Sequence, residues 1–353
     1  MALRVTYVID GDTWGGAEAV LRSVIPHLPE AAEVCVVATS QAVAEQVCDG
    51  AEARVLLVQG KRKTNPLGVL AWRRAIASTR PDIVHINLQS PLAALHAQLA
   101  AASLPKVRRV HHEHMPVQPK TLVHIALKRL LSLGAAEVAV SDRSAEDLSR
   151  GYGLPRSKIA IVPNGVRPAD VVPKSGDGRQ LVCVGRLTPQ KGFDVAIRAL
   201  AELPGYRLRI VGARTARDAE SLEAVARQSG VEDRVTFLPW CESISEALAG
   251  ADIVLMPSRF EAAPLVLLEA LVRGFPVVAS DVGNTREVLE LIDGKLVVRP
   301  DDISGLARAV AYLGDPSRRK EIGEAGRSLI MTRYGEASTA NGFINMYRRL
   351  LPA

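Results

Sequence analysis

The sequence predicts an α/β protein built from two Rossmann-like, doubly wound domains that face each other across a cleft. Three observations carry this expectation. Short apolar runs alternate with longer amphipathic stretches along both halves, the pattern of parallel strands joined by crossover helices. A stretch rich in Pro, Gly and charge, "VRPADVVPKSGDGRQ" (166–180), interrupts that alternation and reads as a linker. Both halves also open alike, with strand, glycine-bearing turn and helix: "VIDGDTWGGAEAVLRSVI" and "VCVGRLTPQKGFDVAIRAL".

In the first half, "RVTYVI" (4–9), "EVCVVAT" (33–39), "RVLLVQ" (54–59), "DIVHIN" (82–87), "VRRVHH" (107–112) and "EVAVS" (137–141) predict strands. Amphipathic stretches at 17–28, 66–79 and 91–102 predict the helices between them. The alternation restarts with "LVCVGR" (181–186), "RLRIVG" (207–212), "RVTFLP" (234–239), "DIVLMPS" (252–258), "PVVAS" (276–280) and "KLVVRP" (295–300). A last helix is expected over "ASTANGFINMYRRLL" (337–351). The boundaries drawn are a domain over 1–168, a second over 178–336, and a helix at 337–353 that crosses back to the first.

With 353 residues the chain is long enough for two ordinary domains. Hydrophobic residues make up 48% and charged residues 23%, a globular composition. No apolar run is long enough to span a bilayer. The opening "MALRVTYVIDGD" reads as a strand ending in acid rather than a signal peptide, so a cytoplasmic location is expected. Cys35, Cys48, Cys183 and Cys241 form no CxxC pair and are expected as reduced thiols. The net charge of +6 favours anionic ligands or surfaces. Aromatic residues, at 4%, are too few for base-stacking platforms, so no nucleic-acid partner is expected. The basic clusters Lys61-Arg62-Lys63, Lys106-Val107-Arg108-Arg109 and Lys128-Arg129 all lie in the first half. The last belongs to "TLVHIALKRLLSL" (121–133), whose periodicity allows contact with an acidic membrane surface. A helix packed on a sheet is the commoner use of such a pattern.

Three stretches carry chemistry. In "GDTWGGAE" the pair Gly15-Gly16 permits close backbone approach, and the following helix presents amides to an anion. In "GRLTPQKG" (185–192), Arg186 and Lys191 bracket a turn before a helix. A guanidinium fork and an ammonium there suit a diphosphate. In "SRFEAAPLVLLEALVRG" (258–274), Pro264 suits a first helical turn, and Leu265 and Val266 then present free amides. Glu261 precedes that end and Glu269 lies about two turns further on, a spacing that lets two carboxylates address sugar and ribose with a diphosphate between. No Asp-x-Asp stands beside Arg186, Lys191 or Glu261 to hold a divalent ion on the diphosphate, so no metal is expected.

Taken together, "GGAE" (15–18), "PDIVHIN" (81–87), "VPNGV" (162–166), "VGRLTPQKG" (184–192), "ADIVLMPS" (251–258) and Glu261-x7-Glu269 followed by "GFPVVASDVG" (274–283) resemble the retaining nucleotide-sugar glycosyltransferases of the GT-B fold, family four, the glycogen-synthase and mannosyltransferase-like group. They occur in that family's order over essentially the whole chain. The resemblance implies an acceptor domain followed by a donor domain, and hexosyl transfer from a UDP-, GDP- or other nucleoside-diphosphate sugar to a hydroxyl acceptor, with retention and without metal. It implies Glu261 near the donor hexose, Glu269 on the ribose, Arg186 and Lys191 on the diphosphate, and the amides of Leu265 and Val266 on phosphate. Gly16 matches the glycine whose amide approaches phosphate and acceptor. His114, in "HHEHM", matches the family's active-site histidine, with His111 and His112 as competitors. Ala262 and Ala263 replace the usual Gly and aromatic, Asn284 replaces the second glycine of a pair, and "VGARTAR" (211–217) replaces a Gly-rich turn. A nucleotide-sugar epimerase of the same architecture and a non-catalytic sugar-nucleotide-binding protein are the alternatives. Acids such as Asp10, Asp12 and Glu113 are the groups that would face a cationic acceptor.

Overall fold

The computed structural model describes residues 3–28, 32–58, 67–171, 176–241 and 243–351. The Lys61-Arg62-Lys63 cluster and part of the 166–180 linker lie outside the described residues. The chain divides into two compact units, Met1–Arg167 with Glu336–Ala353, and Pro168–Gly335.

Among the described residues the first unit has seven strands: β1 (Leu3–Ile9), β2 (Ala32–Ala38), β3 (Arg54–Leu57), β4 (Ile83–Leu88), β5 (Arg108–Glu113), β6 (Ala135–Ala139) and β7 (Ile159–Ile161). They form one parallel sheet in the order β3-β2-β1-β4-β5-β6-β7. The second unit has six: β8 (Gln180–Val184), β9 (Arg207–Ala213), β10 (Val235–Pro239), β11 (Ile253–Met256), β12 (Val277–Ser280) and β13 (Val297–Val298), ordered β10-β9-β8-β11-β12-β13, again all parallel. Strands covered by helices on both faces read as near-continuous apolar runs rather than as alternation. Every residue of β4, β11 and β12 is accordingly buried. In each sheet the strand order reverses once, between β1 and β4 and between β8 and β11, which leaves a crevice beyond the carboxyl ends of those strands.

The helix Glu336–Leu350 belongs to the first unit. Its Phe343 and Tyr347 are fully buried there. The Tyr347 hydroxyl lies 2.8 Å from that of Tyr7 and 2.6 Å from His85 Nδ1, so the polar atoms this helix brings inside are paired.

Strand β5 sends His111 and Glu113 to one face and His112 to the other. The first pair meets Lys128, from the helix Leu122–Ser132, and Glu137 of β6. Lys128 Nζ donates to Glu113 Oε1 at 2.5 Å and to Glu137 Oε2 at 2.8 Å. Glu137 Oε1 lies 2.9 Å from His111 Nδ1. All four side chains are buried. Glu113 is therefore committed to the interior and does not face a cationic ligand. The helix also departs from expectation, since its lysine points inward and much of its apolar face outward.

Glu113 Oε2 has no hydrogen-bond partner among the described residues. Burial pushes the Glu113 carboxyl up to about 7 against the pull of Lys128. Burial also opposes ionisation of Glu137, but His111 and Lys128 outweigh it and hold that group down to about 2. A carboxyl whose folded pKa is raised favours the fold below its unfolded value, and that contribution is lost as pH rises through the folded value. Stability from this group should thus fall between about pH 4.5 and 7. Glu113→Gln, which cannot ionise, should gain on the wild type across that window by on the order of 2 kcal/mol. Urea midpoints of both proteins from pH 4.5 to 8 check this. Parallel curves would exclude titration of Glu113 there.

Candidate functional site

The second unit gathers most of the sequence-predicted residues at its strand reversal. The loop after β8 runs from Gly185 through a tight turn at Pro189–Lys191 to Gly192, then into the helix Phe193–Ala201. Gly192 sits at φ 64°, and a Cβ there would lie 2.0 Å from the carbonyl oxygen of Pro257. Only glycine lets this loop lie against the end of β11. The two segments are then stitched together. Arg259 N donates to Gln190 O at 2.8 Å, and Gln190 Nε2 to Phe260 O at 2.8 Å. The Arg259 guanidinium grips Pro189 O, Asp194 and Asp301 at 2.6–2.9 Å.

This stitching sets Lys191 beside Glu261. Lys191 Nζ donates to Glu261 Oε1 at 2.6 Å, and Ser258 Oγ donates to the same oxygen at 3.0 Å. Glu261 is 8% exposed, yet the Lys191 side chain keeps 18% of its surface open. Arg186, from the same loop, is exposed; its carbonyl accepts from Thr188 N at 2.8 Å, and its guanidinium has no hydrogen-bond or ion-pair partner among the described residues. Three residues after Glu261, Pro264 opens the helix Leu265–Val272 without any side-chain cap. The leading amides of a helix have no partner within it, and those of Leu265 and Val266 stand at its positive end.

Glu269 lies one turn into that helix and is half-buried. Its carboxylate has no hydrogen-bond or ion-pair partner among the described residues. Arg273, one turn on, donates instead to the backbone carbonyl of Glu269 at 2.8 Å and to Ser245 Oγ at 2.9 Å. Burial raises the Glu269 pKa, and the charge of Arg273 opposes it in part. Sequence reading missed Ser258 and Arg259, and took Asn284 only as a departure from a glycine pair. Asn284 N donates to Ala262 O at 3.1 Å, while its buried Oδ1 has no hydrogen-bond partner among the described residues. In the stretch that replaces the Gly-rich turn, Arg214 lies over the Trp240 ring, 5.4 Å from its centre.

Gly16 and His114 belong to the first unit. Gly16 begins the helix Gly16–Val24 after β1, exposed and uncapped by any side chain. The buried Glu18 accepts from Gln89 Nε2 at 3.0 Å. His114, just past β5, lies 2.6 Å from Asn87 Oδ1 through Nε2. Its ring is 4.0 Å from that of His112, which in turn stacks edge-on against His85. Of the three competing histidines, His111 is tied to Glu137 and His112 is wholly buried, while His114 is half-buried. Burial pushes His114 down to about 3, so its imidazole is neutral at physiological pH. Among the described residues, no three His, Cys, Asp or Glu side chains are grouped to hold a metal ion.

Two parallel sheets whose polar groups gather beyond the strand reversal define an enzyme of the two-domain GT-B glycosyltransferase class. The family model described as Glycosyltransferase Family 4 matches residues 14–170, and that described as Glycosyl transferases group 1 matches 169–329. The chain belongs to this glycosyltransferase family. It is 32% identical over 304 residues to a D-inositol 3-phosphate glycosyltransferase of Xylanimonas cellulosilytica, covering 79% of this chain and 69% of that one. It is 28% identical to the 2-deoxystreptamine glucosyltransferase of Streptomyces kanamyceticus, covering 76% and 78%. It spans a little over half the length of other curated relatives that it matches. The crystal structure of Anabaena HepE in complex with UDP shares the fold, with a TM-score of 0.84 at 20% identity over 98% of this chain and 100% of that one.

Proposed function

We propose that the chain transfers a hexosyl or related unit from a nucleoside-diphosphate sugar to an acceptor hydroxyl, with retention of anomeric configuration and no metal on the diphosphate. The observation that carries this reading is the Lys191–Glu261 couple at 2.6 Å beside the uncapped amides of Leu265 and Val266. A departing diphosphate gains negative charge as its bond to C1 breaks. Lys191, the Arg186 guanidinium and the two amides are donors for that charge, and they act most strongly in the transition state. Glu261 takes a hydroxyl of the donor hexose and Glu269 the ribose diol. The acceptor oxygen bonds to C1 on the face the diphosphate leaves, and its proton passes to the departing phosphate oxygen. In the first unit, the Gly16 amide approaches phosphate and acceptor, and His114 positions acceptor or donor hydroxyls. A neutral imidazole accepts a hydroxyl proton in a hydrogen bond without competing for the anion.

The acceptor is the open half of this reading. The first unit holds 22 Lys and Arg against 15 Asp and Glu, a net +7, while the second holds 22 against 23. An anionic acceptor, such as a phosphorylated polyol or a phospholipid-borne glycan, suits that asymmetry. Peripheral contact with an anionic membrane belongs to the same reading. The test is a panel of UDP-, GDP-, ADP- and dTDP-sugars scored by thermal shift and by nucleotide release, with and without EDTA. At least one donor should raise the melting temperature, release should persist in EDTA, and NMR should find the donor's anomeric configuration in the product. Epimerised donor formed without acceptor would make the chain an epimerase. Tight donor binding with no release over a broad acceptor panel would make it a binding protein.

A further inference from the structure

The helix Leu122–Ser132 is mounted inside out. Among its residues, Lys128 and Leu131 are the buried ones. At 100° per residue, Leu122, Val123, Ala126, Arg129, Leu130 and the cap residue Leu133 share an arc about 120° wide. All six are exposed, Leu122 by 83%, Val123 by 72%, Leu133 by 66% and Leu130 by 62%. Such an arc is the width of face that a helix ordinarily turns to its core. Here the inner side is held by charge and hydrogen bonds instead. Lys128 reaches Glu113 and Glu137, Arg109 donates to the carbonyls of Leu131 and Leu133, and Arg129 Nε donates to Tyr152 O at 2.8 Å.

We propose that this face docks on an anionic lipid surface, with the helix lying in the plane of the headgroups and Leu122, Val123, Leu130 and Leu133 entering the acyl boundary. The proposal deepens the peripheral contact named above by giving it a surface. Charge selects the occupant. The arc carries no acid, and its one charged residue, Arg129, bonds to a neutral carbonyl that leaves its charge uncompensated. Lys120, just before the helix, is exposed and has no carboxylate partner among the described residues. A second copy would set +7 against +7, whereas an anionic bilayer meets both the apolar arc and the basic unit that carries it. Eleven residues span about 16 Å, the reach of a helix that lies on a membrane. No described helix is long and apolar enough to cross one.

Sedimentation of the full chain with phosphatidylglycerol–phosphatidylcholine vesicles, against phosphatidylcholine alone, tests this. The wild type should bind the anionic vesicles, and less so as salt rises. Leu130→Asp should weaken that binding about tenfold or more with circular dichroism and melting temperature unchanged. Leu122→Ser, at the most exposed position, should weaken it in the same direction and serves if Leu130→Asp misfolds. Equal binding by wild type and both folded variants would overturn this surface while leaving peripheral contact standing. No binding by the wild type would overturn both. A wild-type dimer that Leu130→Asp dissociates would assign the face to a second copy instead.

Discussion

Lys191→Ala is expected to lose about a hundred- to a thousandfold in turnover while the protein stays folded. The expectation of a fold retained rests on what shapes the loop. Its path depends on the Arg259 guanidinium, the Gln190 bonds and the positive φ of Gly192, none of which uses the lysine side chain. Removing the ammonium leaves Glu261 with Ser258 and a partly open site, a change of about 1 kcal/mol. The loss in rate has a different origin. On the proposed reading the ammonium stands where charge develops, and an interaction made chiefly with the leaving group lowers kcat rather than only raising KM. Glu261→Gln should also be slow, and the double variant should fall short of the product of the two losses, because each single change already breaks the same couple. Steady-state rates beside melting temperatures check all three. Wild-type turnover from a folded Lys191→Ala would remove the diphosphate role from this residue.

The two sheets were legible because strands buried on both faces are largely apolar, and such runs stand out between amphipathic stretches. The stretches around Lys191 and Glu261 were legible as motifs because glycine, proline and charge at strand ends are rare together. What joins them was not. Arg259 reaches Asp194 and Asp301, 65 and 42 positions away, and no local pattern announces such pairings. The helix at 122–132 shows a second limit. Its periodicity gives an apolar arc but not the direction the arc faces, which is set by Glu113 and Glu137 receiving Lys128 from neighbouring strands. Glu113 itself reads as a free acid until β5 places it on the inward face. The same alternation separates His111 from His112 and His114, but only once the strand's register is known.

Glu269→Gln is expected to make the protein more stable without ligand and much weaker toward its donor. The helix Leu265–Val272 is apolar except at this position, and the carboxylate there is half-buried with no hydrogen-bond donor among the described residues. Burial raises its pKa, so ionising it opposes folding. That penalty is absent at low pH, where the group is protonated in both states, and grows as pH rises past the usual carboxylate range. Glu269→Gln should therefore match the wild type near pH 4 and exceed it at neutral pH by about 1 kcal/mol. Donor binding should move the opposite way. An ionised carboxylate accepts two hydroxyl hydrogens through charge-assisted bonds, and an amide offers one weaker acceptor in its place. A loss of about ten- to a hundredfold in donor affinity follows, seen as a collapse of the donor-induced rise in melting temperature. Both signs arise from one cause, a charge desolvated in advance of the hydroxyls that would satisfy it. A variant less stable than the wild type when empty, yet equally stabilised by donor, would assign the carboxylate to the fold and leave the ribose to other groups.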